Sequence, residues 1–158
     1  MGISLYPHQV TAMHKMHDGC VVTGDVGTGK SLTALAFWYI KVCKGVPQMP
    51  GIPYEPMKTP TELYIVTTAR KRDKLDWERE GAHFAVGREP NESGVSMHVD
   101  SWNNIENYTD IENSFFIFDE QRLVRNGSWV SAFLKIAAKN QWIMLSATPG
   151  DNWMDYIP

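Results

Sequence analysis

Residues 24–31 read Gly-Asp-Val-Gly-Thr-Gly-Lys-Ser, and glycines at this spacing before a Lys-Ser pair are suited to enclosing phosphate oxygens. Glycines allow backbone turns that side chains would block, so Gly24, Asp25, Val26, Gly27, Thr28 and Gly29 can aim N–H groups inward beside a helix N-terminus. Lys30 then reaches the β- and γ-phosphates, and the Ser31 hydroxyl is placed to coordinate Mg²⁺. A Gly-rich strand-to-helix turn would share this composition. The apolar run Cys20 to Thr23 before the glycines and the helical pattern after them supply the context that the phosphate loop needs.

A second candidate lies far downstream, where Phe115-Phe116-Ile117-Phe118 runs into Asp119-Glu120. An apolar strand that delivers two carboxylates at its C-terminal end puts them where ligands bind in a parallel sheet. Asp119 can hold the Mg²⁺ that Ser31 touches, and Glu120 can orient and deprotonate an attacking water. Alone, such a run is also an ordinary solvated strand end; the phosphate loop at the same sheet edge argues for the chemistry. A third stretch, Leu145-Ser146-Ala147-Thr148-Pro149, ends another apolar run. Hydroxyls of Ser146 and Thr148 beside a catalytic carboxylate can sense its hydrogen bonding and pass on a change of nucleotide state, although the tetrapeptide taken singly is only a turn.

Elements that position these groups alternate along the chain. Strands are expected at Cys20 to Thr23, Leu63 to Thr67, Val95 to Val99, Phe115 to Phe118 and Trp142 to Ser146. Helices are expected at Pro7 to Met16, Lys30 to Cys43, Arg70 to Glu80 and Ser128 to Ala138, the last with a core-facing stripe of Trp129, Val130, Phe133, Leu134 and Ala137. Strand alternating with helix predicts an α/β fold with a mostly parallel sheet covered on both faces. Lys44 to Pro60 carries five of the nine prolines and reads as a long surface excursion. Gly87 to Gly94 reads as another loop.

With 158 residues the chain has room for one well-buried core. Fifteen basic and eighteen acidic residues give a net charge of −3, so any nucleic-acid contact must come from a local patch. The two cysteines, Cys20 and Cys43, have neither metal-ligand spacing nor a disulfide framework, which fits a reducing, cytoplasmic compartment. The sequence shows neither a membrane span nor an export leader. The five histidines show no convincing metal spacing.

In order and spacing, Gly24 to Ser31, Asp119-Glu120 and Ser146-Ala147-Thr148 resemble motifs I, II and III of superfamily 2 helicases and translocases. The nearest resemblance is to the Swi/Snf-type branch, including its small phage-encoded members. Leu5-Tyr6-Pro7-His8-Gln9 resembles the L-x-P-x-Q element of that branch, which implies an adenine contact for Gln9. Ile65-Val66-Thr67-Thr68, with Trp77 and Glu80 downstream, resembles motif Ia and its W-x-x-E. Val99 to Ile105 resembles the segment in which a serine and an aromatic precede the acidic motif. The resemblance implies a three-layer RecA-like P-loop NTPase domain over residues 1–158, an N-terminal helicase ATP-binding domain whose second RecA-like partner is absent from this sequence.

That resemblance further implies ATP and Mg²⁺ as cofactors, with Lys30, Asp119 and Glu120 catalytic and Arg122, Ser146 and Thr148 coupling nucleotide state to motion. Arg122 departs from the family's usual histidine or aspartate, so this coupling would run through a guanidinium. Arg70, Lys71, Ser101 and Trp102 occupy positions implied to touch nucleic acid, DNA more readily than RNA. For the basic run a solvated helix face is the competing reading, since Asp73, Asp76, Glu78 and Glu80 nearly cancel its charge. For Trp102 the competing reading is a packed core position. The second domain, in cis or in a partner chain, would supply an arginine finger, worth about 10³ to 10⁵ in turnover in related NTPases. The expected function is the first motor domain of a DNA-dependent ATPase, weak by itself; the alternative is a nucleotide-binding interaction module without motor activity.

Overall fold

A computed structural model describes residues 4–23, 29–120 and 127–146. Its strands are β1 (Val21–Thr23), β2 (Leu63–Thr67), β3 (Met97–Ser101), β4 (Phe115–Phe118) and β5 (Gln141–Ser146). They pair in the order β1-β5-β4-β2-β3, and every pair is parallel. Parallel neighbours require crossovers, which the helices supply: α1 (Pro7–Lys15), α2 (Lys30–Phe37), α3 (Ala69–Asp73), α4 (Asp76–Ala82) and α5 (Gly127–Ala137).

Side-chain parity along the strands builds the two cores. Leu63 and Ile65 of β2, Phe115 and Ile117 of β4, and Ile143 and Leu145 of β5 bury on one face with α1, α2 and Trp77 of α4. Val66, Phe116, Phe118, Trp142 and Met144 bury on the other, against α5 and the 3₁₀ segment Trp102–Tyr108. Apolar residues at every strand position are what a sheet covered on both sides needs. On the second face Tyr64 stacks on Phe116 at 5.0 Å, and Phe133 of α5 meets Phe118 and Trp142 edge-on at 5.0 and 4.9 Å. Fully burying a side chain of this kind contributes about 1.5–3 kcal/mol.

Four local expectations change. The helix after the phosphate loop does reach Val42, but from Trp38 it widens into a π turn, with the Cys43 N–H bonded to Trp38 O at 2.8 Å. The helix expected over Arg70 to Glu80 is two helices, because Leu75 takes a left-handed φ of 60° between α3 and α4. Strand β3 begins two residues late: Asn91 Oδ1 accepts the Val95 N–H at 3.1 Å and Glu62 Oε1 accepts that of Ser96 at 3.1 Å, so side chains hold these amides in a turn. On α5, Leu134 is 46% exposed, whereas Ala132 and Ile136 are buried with Phe133. The aromatic face of β4 and β5 selects that side of the helix.

The proline-rich excursion folds back on itself. Val46 and Glu55 exchange backbone hydrogen bonds at 2.9 and 3.0 Å, and Met57 is buried in the first core. Cys43 lies beneath it, its thiol pushed up to about 11 by burial. Among the described residues, no helix is long and apolar enough to cross a membrane.

Candidate functional site

The parallel register brings the carboxyl ends of the strands level, with Thr23 opposite Ser146 and Thr67 opposite Ser101. Because β5 lies between β1 and β4, the end of β1 and the carboxylates after β4 flank the end of β5.

Asp119 extends the β2–β4 pairing by one residue, its N–H bonded to Val66 O at 2.7 Å. It shares the parity of Phe115 and Ile117, as Thr67 shares that of Leu63 and Ile65, so the two side chains meet on the first face. Three donors converge on Asp119 Oδ2: Thr67 Oγ1 at 2.9 Å, Trp77 Nε1 at 3.0 Å and Lys71 Nζ at 3.1 Å. A carboxylate 5% exposed requires such partners, since an unpaired buried charge costs several kcal/mol. The Asp119 carbonyl accepts Trp102 Nε1–H at 2.8 Å. Backbone and carboxylate are therefore both fixed from neighbouring elements.

Glu120 follows at a left-handed φ of 52°, a conformation that costs a residue with a side chain about 1–2 kcal/mol. Its Oε2 lies 2.8 Å from Lys71 Nζ. Lys71 thus bridges both carboxylates. Burial works against its charge, yet Asp119 and Glu120 outweigh this and hold the ammonium above the ordinary lysine value.

Opposite these carboxylates, α2 starts from Gly29, whose φ of 75° suits glycine. Lys30 Nζ donates to Ser146 O at 2.6 Å, tying the start of α2 to the end of β5. Ser31 Oγ donates to Glu80 Oε1 at 3.0 Å, tying it to α4. Gln9, 4% exposed, accepts the Tyr6 N–H at 2.8 Å through Oε1 and donates from Nε2 to Gly29 O at 3.3 Å. Its amide thus caps α1 and braces the entry to α2 at once.

Lys30, Ser31, Lys71, Trp77, Asp119 and Glu120 line a common cleft of about 710 Å³. Within it, the Lys30 ammonium at a helix start, the Ser31 hydroxyl and the adjacent Asp119 and Glu120 carboxylates can bind a polyanion and a hard cation together. Gly24, Asp25, Val26, Gly27, Thr28, Arg122 and Thr148 lie outside the described residues. Of the positions expected at nucleic acid, Arg70 is exposed on α3, while Lys71 turns into the cleft. Ser101 and Trp102 are each 2% exposed. Trp102 packs on Trp129 at 5.8 Å and on Phe118, which leaves no open ring face for a base.

Thr67, Trp77 and Glu80 belong to this site without having been singled out as site residues. Strand parity carries the signal for Thr67. For Trp77 and Glu80 it is their spacing of three, which puts both on one helix face.

This strand order and covered parallel sheet are the RecA-like fold of helicase and ATPase cores. The SWI2/SNF2 ATPase core of Sulfolobus solfataricus, solved with double-stranded DNA, superposes with a TM-score of 0.66 at 18% identity over 99% of this chain and 36% of that one. The Hef helicase domain of Pyrococcus furiosus gives 0.63 at 17% identity, over 92% of this chain and 33% of that one. The large terminase ATPase domain of a Thermus phage gives 0.54 at 15%, over 96% and 68%. The chain thus spans about a third of the first two solved chains. No protein-family model and no curated protein matches it.

Proposed function

We propose that this chain is the nucleotide-binding motor domain of a DNA-dependent ATPase of helicase or translocase type, close to the Swi/Snf branch. The observation that carries the reading is the meeting of Lys30 and Ser31 with Asp119 and Glu120 in one cleft at the carboxyl edge of the sheet, from segments far apart in sequence.

The residues present fit magnesium and a nucleoside triphosphate. Lys71 already occupies the space between Asp119 and Glu120 as a cation, at 3.1 and 2.8 Å, so the carboxylate pair attracts positive charge. Ser31 and Asp119 offer the oxygen donors that Mg²⁺ prefers. Bound there, the ion would neutralise charge on the transferring phosphoryl group. Lys30 would exchange its bond to Ser146 O for phosphate oxygens, and Glu120 would orient a water and take its proton. Gln9 would contact the adenine. Lys71 would yield the carboxylates, and Ser146 would report the exchange to the end of β5.

Nucleic acid is the proposed track, with DNA ahead of RNA, and a second RecA-like domain would complete both the ATP and the DNA clefts. That the chain spans about a third of the two helicase-type structures supports reading it as one part of a larger motor. Arg70 on α3 and Lys74 just after it, both exposed, are the cations of this run open to a backbone phosphate, because Lys71 pairs within the cleft and Arg72 Nη1 pairs with Asp100 at 3.0 Å. Hydrolysis of ATP with and without DNA, by this chain alone and with a second RecA-like domain supplied, tests the proposal. DNA-stimulated turnover when the second domain is present supports it. Nucleotide binding that never leads to DNA-dependent turnover supports a recruiting module instead, a reading that the occupation of both carboxylates by Lys71 favours.

A further inference from the structure

Helix α4 hydrogen-bonds two residues of the cleft within one turn. Trp77 Nε1–H reaches Asp119 Oδ2 at 3.0 Å, and Glu80 Oε1 accepts the Ser31 Oγ proton at 3.0 Å. Residues three apart lie on one helix face, so a single rigid surface engages the end of β4 and the start of α2 together. Both residues sit on the same side as their targets because Leu75 breaks the preceding helix and resets the phase of α4.

We infer that Trp77 and Glu80 are positioning residues that hold Asp119 and Ser31, the two proposed magnesium ligands, at a fixed separation and with their metal-facing oxygens free. The inference rests on the magnesium reading above. A hydroxyl has one proton and two lone pairs; by taking the proton, Glu80 turns the lone pairs of Ser31 away from itself and leaves them for a cation. In the same way, Trp77 and Thr67 donate to Oδ2 of Asp119, and no hydrogen bond among the described residues engages Oδ1. Outer partners of this kind orient metal ligands, and losing one typically weakens metal binding about 10- to 100-fold. Trp77 is buried and neutral, so it fixes the carboxylate without competing for the cation as Lys71 does.

Mn²⁺ uptake by the full 158-residue chain, followed by electron paramagnetic resonance with a non-hydrolysable ATP analogue present, provides the test. Analogue affinity in EDTA is measured in parallel. Trp77→Phe keeps the ring and deletes the donor; Glu80→Ala deletes the acceptor; Glu80→Gln keeps an amide oxygen that can still accept from Ser31. Trp77→Phe and Glu80→Ala are each expected to weaken Mn²⁺ about tenfold, Glu80→Gln to recover most of that loss, and affinity in EDTA to stay within about twofold. Equal loss of Mn²⁺ and of metal-free nucleotide would mark α4 as ordinary scaffold and overturn the inference. So would unchanged Mn²⁺ affinity in Glu80→Ala, whose position is only partly buried, and this decides the matter even if Trp77→Phe fails to fold. A wild-type chain that binds the analogue and takes up no Mn²⁺ would contradict the magnesium reading itself, a result separate from either of these.

Discussion

Lys71 Nζ stands 2.8 Å from Glu120 Oε2, so the carboxylate assigned to the attacking water is already paired with a cation from α3. That ammonium also reaches Asp119, so one cation is shared between the two carboxylates. Lys71→Met should therefore have opposite effects with and without metal. Without Mg²⁺ the two carboxylates lose their shared partner; the lysine is partly solvated, so the cost is about 1 kcal/mol. With millimolar Mg²⁺ the variant should regain that stability and more, because binding to the folded state stabilises it and Lys71 no longer competes for the carboxylates. Denaturant midpoints with and without Mg²⁺ measure the difference. A variant equally destabilised in both conditions contradicts the competition.

Glu120→Gln should separate binding from chemistry. The amide keeps the shape and loses the basicity, so turnover falls by about 10² to 10⁴ while affinity for a nucleotide analogue holds. Single-turnover hydrolysis beside equilibrium binding reads both. Full turnover in this variant would remove Glu120 from the role of base.

Sequence pattern places Lys30 and Ser31 at a helix start and Asp119 and Glu120 at a strand end, and the described structure brings these four residues to one cleft. The apolar runs Leu63 to Thr67 and Phe115 to Phe118 are strands to the residue, since burial on both faces leaves a continuous apolar signal. Side-chain-to-backbone competition was not legible. Asn91 and Glu62 capture the amides of Val95 and Ser96 and delay β3, and no periodicity announces that. Nor does composition reveal that Lys71, one of four cations in a short basic run, turns inward to pair with Asp119 and Glu120, while Arg70 stays at the surface.

Gly29 and Gln9 should be energetically coupled. A Cβ at Gly29 would fall 2.2 Å from Gln9 Nε2, and the φ of 75° is itself unfavourable for alanine. Gly29→Ala is expected to cost about 1–2 kcal/mol from the backbone alone, plus the collision. In Gly29→Ala/Gln9→Ala the collision vanishes and the backbone term remains, so the double variant should be more stable than the sum of the singles. Urea unfolding of the four proteins gives the coupling. Strict additivity would mean that the amide of Gln9 moves aside at no cost.

Asp100 gives the fold an acid limit. Desolvation raises its pKa, but the Tyr108 hydroxyl at 2.6 Å, Asn104, the Ser101 N–H and Arg72 together outweigh it and hold the carboxyl below its ordinary 3.8. The unfolded chain then binds the proton more readily than the folded one. The stability from this cluster is present above pH 3.8 and is lost as the pH falls through the lower folded value. Asp100→Asn should cost about 1–2 kcal/mol at neutral pH and show a shallower loss in acid. Stability of both proteins from pH 7 to pH 3 tests this; parallel curves would contradict it.

The cleft between Lys30 and Asp119 is proposed to bind the nucleotide with its magnesium. Calorimetric titration of the chain with a non-hydrolysable ATP analogue and Mg²⁺, repeated on Lys30→Ala, tests it most directly. One saturable site in the wild-type chain that weakens in EDTA and disappears in Lys30→Ala is the predicted result. No saturable binding, or equal binding by Lys30→Ala, would contradict it.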